Sequence, residues 1–135
     1  MIVALDHIAI AVPDLEKAIS RFINDFNLNC MGSTTLVTEK TTVAFFPLPE
    51  TQIELVHPLN DQGPIKSFLD KRGPGLHHIC FRTNDIENDI LRLQNNGYEF
   101  LSEKPTIGAH NSKIIFIHPK CCDGVLIELN EPQAT

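Results

Sequence analysis

The sequence contains one pattern twice, and this duplication limits the folds that the chain can adopt. A His-Ile pair begins at His7, and a second begins at His78, 71 residues later. Each copy ends in an apolar, strand-like segment that holds one carboxylate, Glu54 in the first copy and Glu128 in the second. These two Glu residues are 74 residues apart. Such regular spacing predicts two modules of similar structure, with polar side chains at equivalent places.

Each copy has the periodicity of one strand, one helix and three further strands. Alternating residues after each His-Ile pair predict a strand. Asp14 and Asp85 then precede apolar residues at helical spacing, as N-capping residues do. Three strand-like segments follow in each copy, including residues 28–37 in the first and 98–102 in the second. The pattern predicts β-α-β-β-β twice, which is an α+β fold class with eight strands.

The repeats predict how the chain is organised. The first module covers about residues 3–57 and the second about 76–130. Residues 58–75 are rich in Pro and Gly, which predicts a linker with one short amphipathic helix. Each module alone is close to the lower size limit for independent folding. We therefore expect a single domain over residues 1–135, in which two curled four-stranded sheets face each other and form a cleft.

Composition excludes several classes of function. The net charge of −6 provides no basic surface for a phosphate backbone, so we expect no nucleic-acid partner. No apolar run has the roughly 20 residues that cross a bilayer, and no signal peptide is recognisable, so we expect no membrane association. The four cysteines form no CxxC pair, which favours reduced thiols and a cytoplasmic location.

The four repeated polar residues form a candidate metal site. A lone histidine is more often structural, and a carboxylate on a half-exposed strand can point to solvent. A carboxylate buried among Ile, Leu and Val, however, costs several kcal/mol unless it is paired or coordinated. Two imidazoles and two carboxylates suit a divalent ion such as Zn²⁺, Co²⁺, Ni²⁺ or Mn²⁺ and leave positions open for substrate oxygens. By symmetry, the predicted ligands are His7, Glu54, His78 and Glu128.

Five segments together carry a resemblance that covers about residues 4–130. They are residues 6–15, 75–81, 107–110, 118–120 and 124–129. With these segments the chain resembles the methylmalonyl-CoA epimerase family of the vicinal-oxygen-chelate superfamily, which also holds glyoxalase I and the bleomycin-resistance proteins. The resemblance implies a mixed eight-stranded sheet built from paired β-α-β-β-β units. It also implies an acyl-CoA substrate and a homodimer.

The resemblance further implies a reaction and roles for individual residues. The (R) and (S) forms of methylmalonyl-CoA interconvert by removal and return of the C2 proton through a metal-stabilised enolate. The family's metal ligands fall on the four residues selected by symmetry, and its C-terminal Glu, Glu128 here, is proposed as a base as well. Some members have a second base where this chain has Val43. The second base is therefore unknown, and a substrate contact from the loop residue His110 is a weaker expectation.

Two other functions stay open at this point. A glyoxalase-I-type lactoylglutathione lyase would use the same His/Glu/His/Glu set and a related enediolate chemistry. A metal-free protein that binds small molecules, as in the resistance branch, is the third interpretation. Retention of four ligand-type residues argues against that third interpretation.

Overall fold

The structure is a computed structural model in which residues 1–134 are described. The first repeat comprises β1 (Ile2–Ala11), α1 (Leu15–Asn24), β2 (Ser33–Leu36), β3 (Thr41–Leu48) and β4 (Thr51–Pro58). A connecting segment contains α2 (Pro64–Arg72). The second repeat comprises β5 (Gly75–Thr83), α3 (Ile86–Asn95), β6 (Thr106–Ile107), β7 (Lys113–Ile117) and β8 (Ile127–Glu131). Short 3-10 segments lie at Leu59–Asp61, Ala109–Asn111 and Pro119–Cys121.

The two main helices begin in the same way. The Asp14 carboxylate accepts a hydrogen bond from the backbone N–H of Lys17, at 3.0 Å, and thereby caps α1. The Asp85 carboxylate accepts one from the N–H of Asn88, at 3.2 Å, and caps α3. Each cap satisfies one of the backbone donors that a helix leaves unpaired in its first turn. The two caps predicted from the sequence are confirmed.

Two compact units divide the chain, and each has its own apolar core. One unit comprises residues 8–77, and the other comprises residues 1–7 together with the described residues from 78 to 134. In the unit of residues 8–77, α1 packs on the sheet through a core of Val12, Ala18, Ala44, Phe46 and Leu55. In the other unit, α3 packs on a core of Ile86, Ile90, Ile115, Ile117 and Leu129. The predicted boundaries of the modules, the linker and the single domain stay predictions.

Strand β1 contributes to both units, and this division positions one candidate ligand. Residues 8–11 pair in parallel with β4, from Ile8 opposite Ile53 to Ala11 opposite Val56. Residues 1–7 belong to the unit that contains the second repeat. There the backbone N–H of Asn84, just after β5, donates to the Met1 carbonyl at 3.1 Å. His7 is the last residue of the β1 segment that belongs to this second unit.

The strand order confirms the predicted fold class. Hydrogen bonding runs in the order β2-β3-β4-β1-β5-β8-β7-β6. Pairs β1–β4 and β5–β8 are parallel, whereas β2–β3, β3–β4, β6–β7 and β7–β8 are antiparallel. The fold is therefore α+β with a mixed sheet and two β-α-β-β-β repeats. None of the helices among the described residues is long and apolar enough to cross a membrane.

Two strand predictions are corrected. The strand expected over residues 98–102 is absent from the described structure, where Phe100 makes only an isolated bridge to Ile117. The residues that follow Phe100 form bends instead of an extended strand. Strand β6 forms only later, at Thr106–Ile107. The strand expected over residues 28–37 begins only at Ser33, because Asn27 and Gly32 have positive φ angles that interrupt an extended chain.

Candidate metal centre

Three of the four predicted ligands lie on neighbouring strands of one unit. His7 is on β1, His78 on β5 and Glu128 on β8, and these strands are adjacent in the sheet order. All three residues are buried, with exposed fractions of 4%, 8% and 5%. The parallel register of β5 and β8 places Glu128 opposite Cys80, two residues after His78. Alternation along β5 puts His78 and Cys80 on the same face.

The three side chains converge on one point. Nε2 of His7 lies 3.1 Å from Nε2 of His78. Oε1 of Glu128 lies 3.2 Å from Nε2 of His7 and 3.0 Å from Nε2 of His78. The two rings meet edge to face, with centroids 5.3 Å apart. These three atoms form the candidate metal centre.

Three electron-rich atoms this close and this buried require positive charge among them. A neutral imidazole carries a lone pair on one ring nitrogen, and an ionised carboxylate oxygen can only accept hydrogen bonds. Protons on the two Nε2 atoms would satisfy Glu128 but would bring two N–H groups together at 3.1 Å. A single cation at the point of convergence would satisfy all three atoms at once.

The spacing of the three donor atoms fits a divalent ion of the first transition series or zinc. Ligand atoms about 2.1 Å from one ion are about 3.0 Å apart at right angles and about 3.4 Å apart at the tetrahedral angle. The observed separations of 3.0, 3.1 and 3.2 Å lie in this interval. Two imidazoles and a carboxylate are also the donors that such ions accept in sites that keep positions open for other ligands.

The imidazoles hold Glu128 in its ionised form. Burial by itself would raise the pKa of this carboxyl, since charge is unfavourable away from water. Without a metal ion, protons on the imidazoles of His7 and His78 supply hydrogen bonds and positive charge that outweigh burial and lower the pKa of Glu128 to about 2. Glu128 is therefore a carboxylate at neutral pH, which is the state that a metal ligand or a general base needs.

Sequence reasoning missed the partners on the other side of His7. Nδ1 of His7 lies 2.7 Å from Oδ2 of Asp6. The guanidinium of Arg82 donates from Nε to the other carboxylate oxygen of Asp6, at 2.9 Å. Burial would raise the pKa of Asp6, but its bonds to His7 and Arg82 lower it below the usual value. The available signal was an Asp directly before the first ligand, with Arg82 on the same strand face as His78.

Asp6, His7 and Cys80 also have potential ligand atoms within 4.8 Å of one another. We assign this group to hydrogen bonding, because both Asp6 oxygens already have partners. Complete burial, the largest influence, raises the pKa of the Cys80 thiol to about 12. A thiol in that state is a small apolar side chain rather than a thiolate ligand. All four cysteines are free, as predicted.

Glu54, the fourth predicted ligand, belongs to the unit of residues 8–77. It lies on β4, is 7% exposed, and accepts a hydrogen bond from Nε2 of Gln52 to Oε2 at 3.0 Å. The sequence left open whether this carboxylate points to solvent, and the structure buries it. The role of Glu54 as a ligand stays a prediction.

The remaining histidines have different environments. His110 is an exposed residue in the segment Ala109–Asn111, with a left-handed φ of 57°. Its contact with substrate stays a prediction. Nδ1 of His57 lies 2.9 Å from the carbonyl oxygen of Val12. His118 accepts from the N–H of Lys120 at 3.1 Å. Both residues thus contact the backbone, which is consistent with structural roles.

Position 43 provides no acid or base. Val43 is 3% exposed on β3, opposite Val56 of β4. The second proton-transfer group therefore has to come from another residue or from a water molecule, and it stays unknown.

Comparisons with known proteins agree with the fold. Residues 6–116 match the model of the glyoxalase/bleomycin resistance protein/dioxygenase superfamily. The chain is 42% identical over 133 residues to the ethylmalonyl-CoA/methylmalonyl-CoA epimerase of Cereibacter sphaeroides. That alignment covers 97% of this chain and 99% of the relative.

Solved structures of methylmalonyl-CoA epimerases have the same fold as this chain. The methylmalonyl-CoA epimerase of Mycobacterium tuberculosis has a TM-score of 0.93 and 36% identity, and the match covers 98% of this chain and 90% of that one. A variant of the Streptomyces coelicolor methylmalonyl-CoA epimerase, in complex with 2-nitronate-propionyl-CoA, has a TM-score of 0.93 and 27% identity. That match covers 99% of this chain and 97% of the other. The chain therefore belongs to the glyoxalase/bleomycin resistance protein/dioxygenase superfamily and, within it, to the methylmalonyl-CoA epimerase family.

Proposed function

We propose that this protein is a metal-dependent methylmalonyl-CoA epimerase. The observation that carries the proposal is the convergence of His7, His78 and Glu128 within 3.2 Å of one another at a buried point. A relative 42% identical over nearly its whole length is an epimerase of ethylmalonyl-CoA and methylmalonyl-CoA. Family and site together support an isomerase rather than a metal-free binding protein.

The proposed metal ligands are His7, His78 and Glu128, with Glu54 as the fourth. Each imidazole would present Nε2, and Glu128 would present Oε1, since these are the atoms that converge. A bound divalent cation would supply positive charge that stabilises the enolate formed when the C2 proton leaves. Imidazole and carboxylate ligands suit Co²⁺, Zn²⁺, Ni²⁺ or Mn²⁺, and the donors alone do not select one of them.

Glu128 is also the proposed base. Its two contacts with the imidazoles are made by Oε1, so we assign Oε2 as the atom that takes the proton from C2. Its ionised state at neutral pH agrees with that role. Return of the proton to the opposite face needs a second group, which is unassigned. His110 is also proposed to contact the acyl-CoA substrate.

A nitronate is planar and anionic, as an enolate is. A variant of the Streptomyces coelicolor enzyme, with the same fold, forms a complex with 2-nitronate-propionyl-CoA. Resemblance to a charged intermediate commonly gives an inhibitor tighter binding than the substrate has. We expect the same compound to inhibit this protein, because the proposed chemistry passes through the same kind of anion.

We further propose a cytoplasmic homodimer. The four free thiols suit a reducing compartment. Ile2, Val3 and Leu5 of β1 expose 40%, 53% and 41% of their surfaces, which is apolar area that a second copy could cover. Measurement of the mass in solution tests the dimer.

The test is exchange of the C2 proton of methylmalonyl-CoA with deuterated buffer, measured by NMR after addition of each metal in turn. We expect exchange that depends on metal and is lost, together with metal binding, in His78→Ala. The control His118→Asn removes a hydrogen-bonded histidine and should keep both. If no metal supports exchange, the proposal is overturned in favour of a binding protein. If the protein instead acts on methylglyoxal with glutathione, it is overturned in favour of a glyoxalase-I-type lyase.

A further inference from the structure

We propose that Asp6, held by Arg82, is a positioning residue that sets the orientation and tautomer of His7 for metal binding. The inference rests on the proposed function, since it concerns the proposed ligand His7. It concerns residues that the family resemblance did not assign. The three residues belong to one compact unit, and their contacts form a chain from guanidinium to carboxylate to imidazole.

The Asp6 carboxylate determines which nitrogen of His7 carries hydrogen. Its Oδ1 accepts from Arg82, as in an ion pair, so Asp6 has no hydrogen to offer at Oδ2. Nδ1 of His7, 2.7 Å from Oδ2, must therefore be the donor. In a neutral ring this places the lone pair on Nε2, which is the atom that faces His78 and Glu128.

Arg82 fixes the carboxylate in turn. The two Asp6 oxygens bind two different donors, at 2.7 and 2.9 Å, which limits rotation of the carboxylate about its bond to Cβ. The Asp6 side chain is 16% exposed, so water competes little for these oxygens. A hydrogen bond that the second nitrogen of a metal-binding imidazole donates to a carboxylate also raises the basicity of the imidazole, and its loss typically weakens metal binding 10–100-fold.

The second repeat has no Asp at the position equivalent to Asp6. The residue before His78 is His77, whose ring packs edge to face against Phe68, with centroids 5.0 Å apart. An imidazole in that position cannot act as the anionic acceptor that Asp6 provides. The two candidate histidine ligands are therefore supported by different side chains, although the repeat places them at equivalent positions.

The experiment measures the tautomer of His7 and the affinity for Co²⁺ separately. Long-range ¹H–¹⁵N NMR of the metal-free protein, recorded at a pH that leaves the His7 ring neutral, reports which ring nitrogen carries the proton, and competition with a chromogenic chelator gives the Kd for Co²⁺. For Asp6→Asn we expect loss of the dominant Nδ1–H form and a 10–100-fold higher Kd. For Arg82→Gln we expect a smaller rise in the Kd in the same direction.

Glu99→Gln is the matched control, since it also turns a paired carboxylate into an amide, here the surface partner of Lys120 at 2.9 Å. It should leave both the tautomer and the Kd unchanged. If Asp6→Asn does not fold, Arg82→Gln alone decides the question. An unchanged tautomer with a Kd within twofold of the parent protein would overturn the inference. Failure of the parent protein to bind Co²⁺ would instead overturn the proposed function, and the tautomer measurement would still decide the role of Asp6.

Discussion

Glu54 and Glu128 lie on the last strands of the two repeats and are buried to nearly the same degree, but they have different hydrogen-bond partners within their own units. Glu128 contacts two imidazoles at 3.0 and 3.2 Å, whereas Glu54 accepts a hydrogen bond from the Gln52 amide. The first environment is charged and suits a cation, and the second includes a neutral donor. Equivalent positions in a duplication thus carry the same residue type with at least one different hydrogen-bond partner.

The division of β1 explains part of this difference. Its residues 1–7 belong to the unit of the second repeat, so that unit holds both His7 and His78. The unit of residues 8–77 keeps the rest of β1, where Ala9 lies opposite Glu54 in the parallel register. A histidine from the first repeat therefore completes a cluster in the unit that contains the second repeat.

The largest expected difference between the two carboxylates is in catalysis. Glu128→Gln should lower the rate of C2 proton exchange by about 10³-fold or more, because loss of a positioned general base alone typically costs 10²–10⁴-fold. Glu54→Gln should lower it by about 10-fold, because an amide oxygen can still coordinate a cation while the negative charge is lost. Exchange rates measured at saturating metal check both variants. Equal losses in the two would show that the carboxylates act alike.

A smaller difference is expected in the stability of the metal-free protein in acid. The Glu128 pKa falls from 4.5 to about 2 on folding, so its contribution is fully present above pH 4.5 and is lost as pH falls through about 2. A shift of this size corresponds to about 3 kcal/mol. Urea unfolding of the parent protein and of Glu128→Gln between pH 5 and pH 2 should show a steeper loss in the parent.

Glu99→Gln provides the comparison for that measurement. The Lys120 ammonium lowers the Glu99 pKa too, but the pair is on the surface, where water and salt screen it. Its pH dependence should therefore stay close to that of the parent protein. A parent and a Glu128→Gln variant with parallel pH profiles would contradict the buried ionised state of Glu128.

The smallest expected effects test where the two repeats are alike. Asp14→Ala and Asp85→Ala each remove one helix-capping hydrogen bond, so each should lower the free energy of unfolding by about 1 kcal/mol. Chemical denaturation checks the size, and Co²⁺ affinity should not change. A much larger loss for one cap would extend the asymmetry of the repeats beyond the metal centre.

Features set by local sequence were predicted well. The helix starts at Asp14 and Asp85, the strand at His7 and the short helix after Pro64 all depend on neighbouring residues. The strand predicted at residues 98–102 was wrong because this segment pairs with β7 through few hydrogen bonds. Periodicity indicates which residues can be extended, but it does not indicate which strands pair. His7, His78 and Glu128 meet within one unit because β1, β5 and β8 are neighbours in the sheet.

By itself, the sequence determined the duplicated β-α-β-β-β pattern and the choice of imidazole and carboxylate donors, since periodicity and residue chemistry are both local properties. Only the tertiary structure decided that β1 is shared between the units and that Arg82, 76 residues after Asp6, holds the carboxylate behind His7. Such contacts depend on which strands become neighbours in the sheet, and a linear pattern of residues does not specify that arrangement.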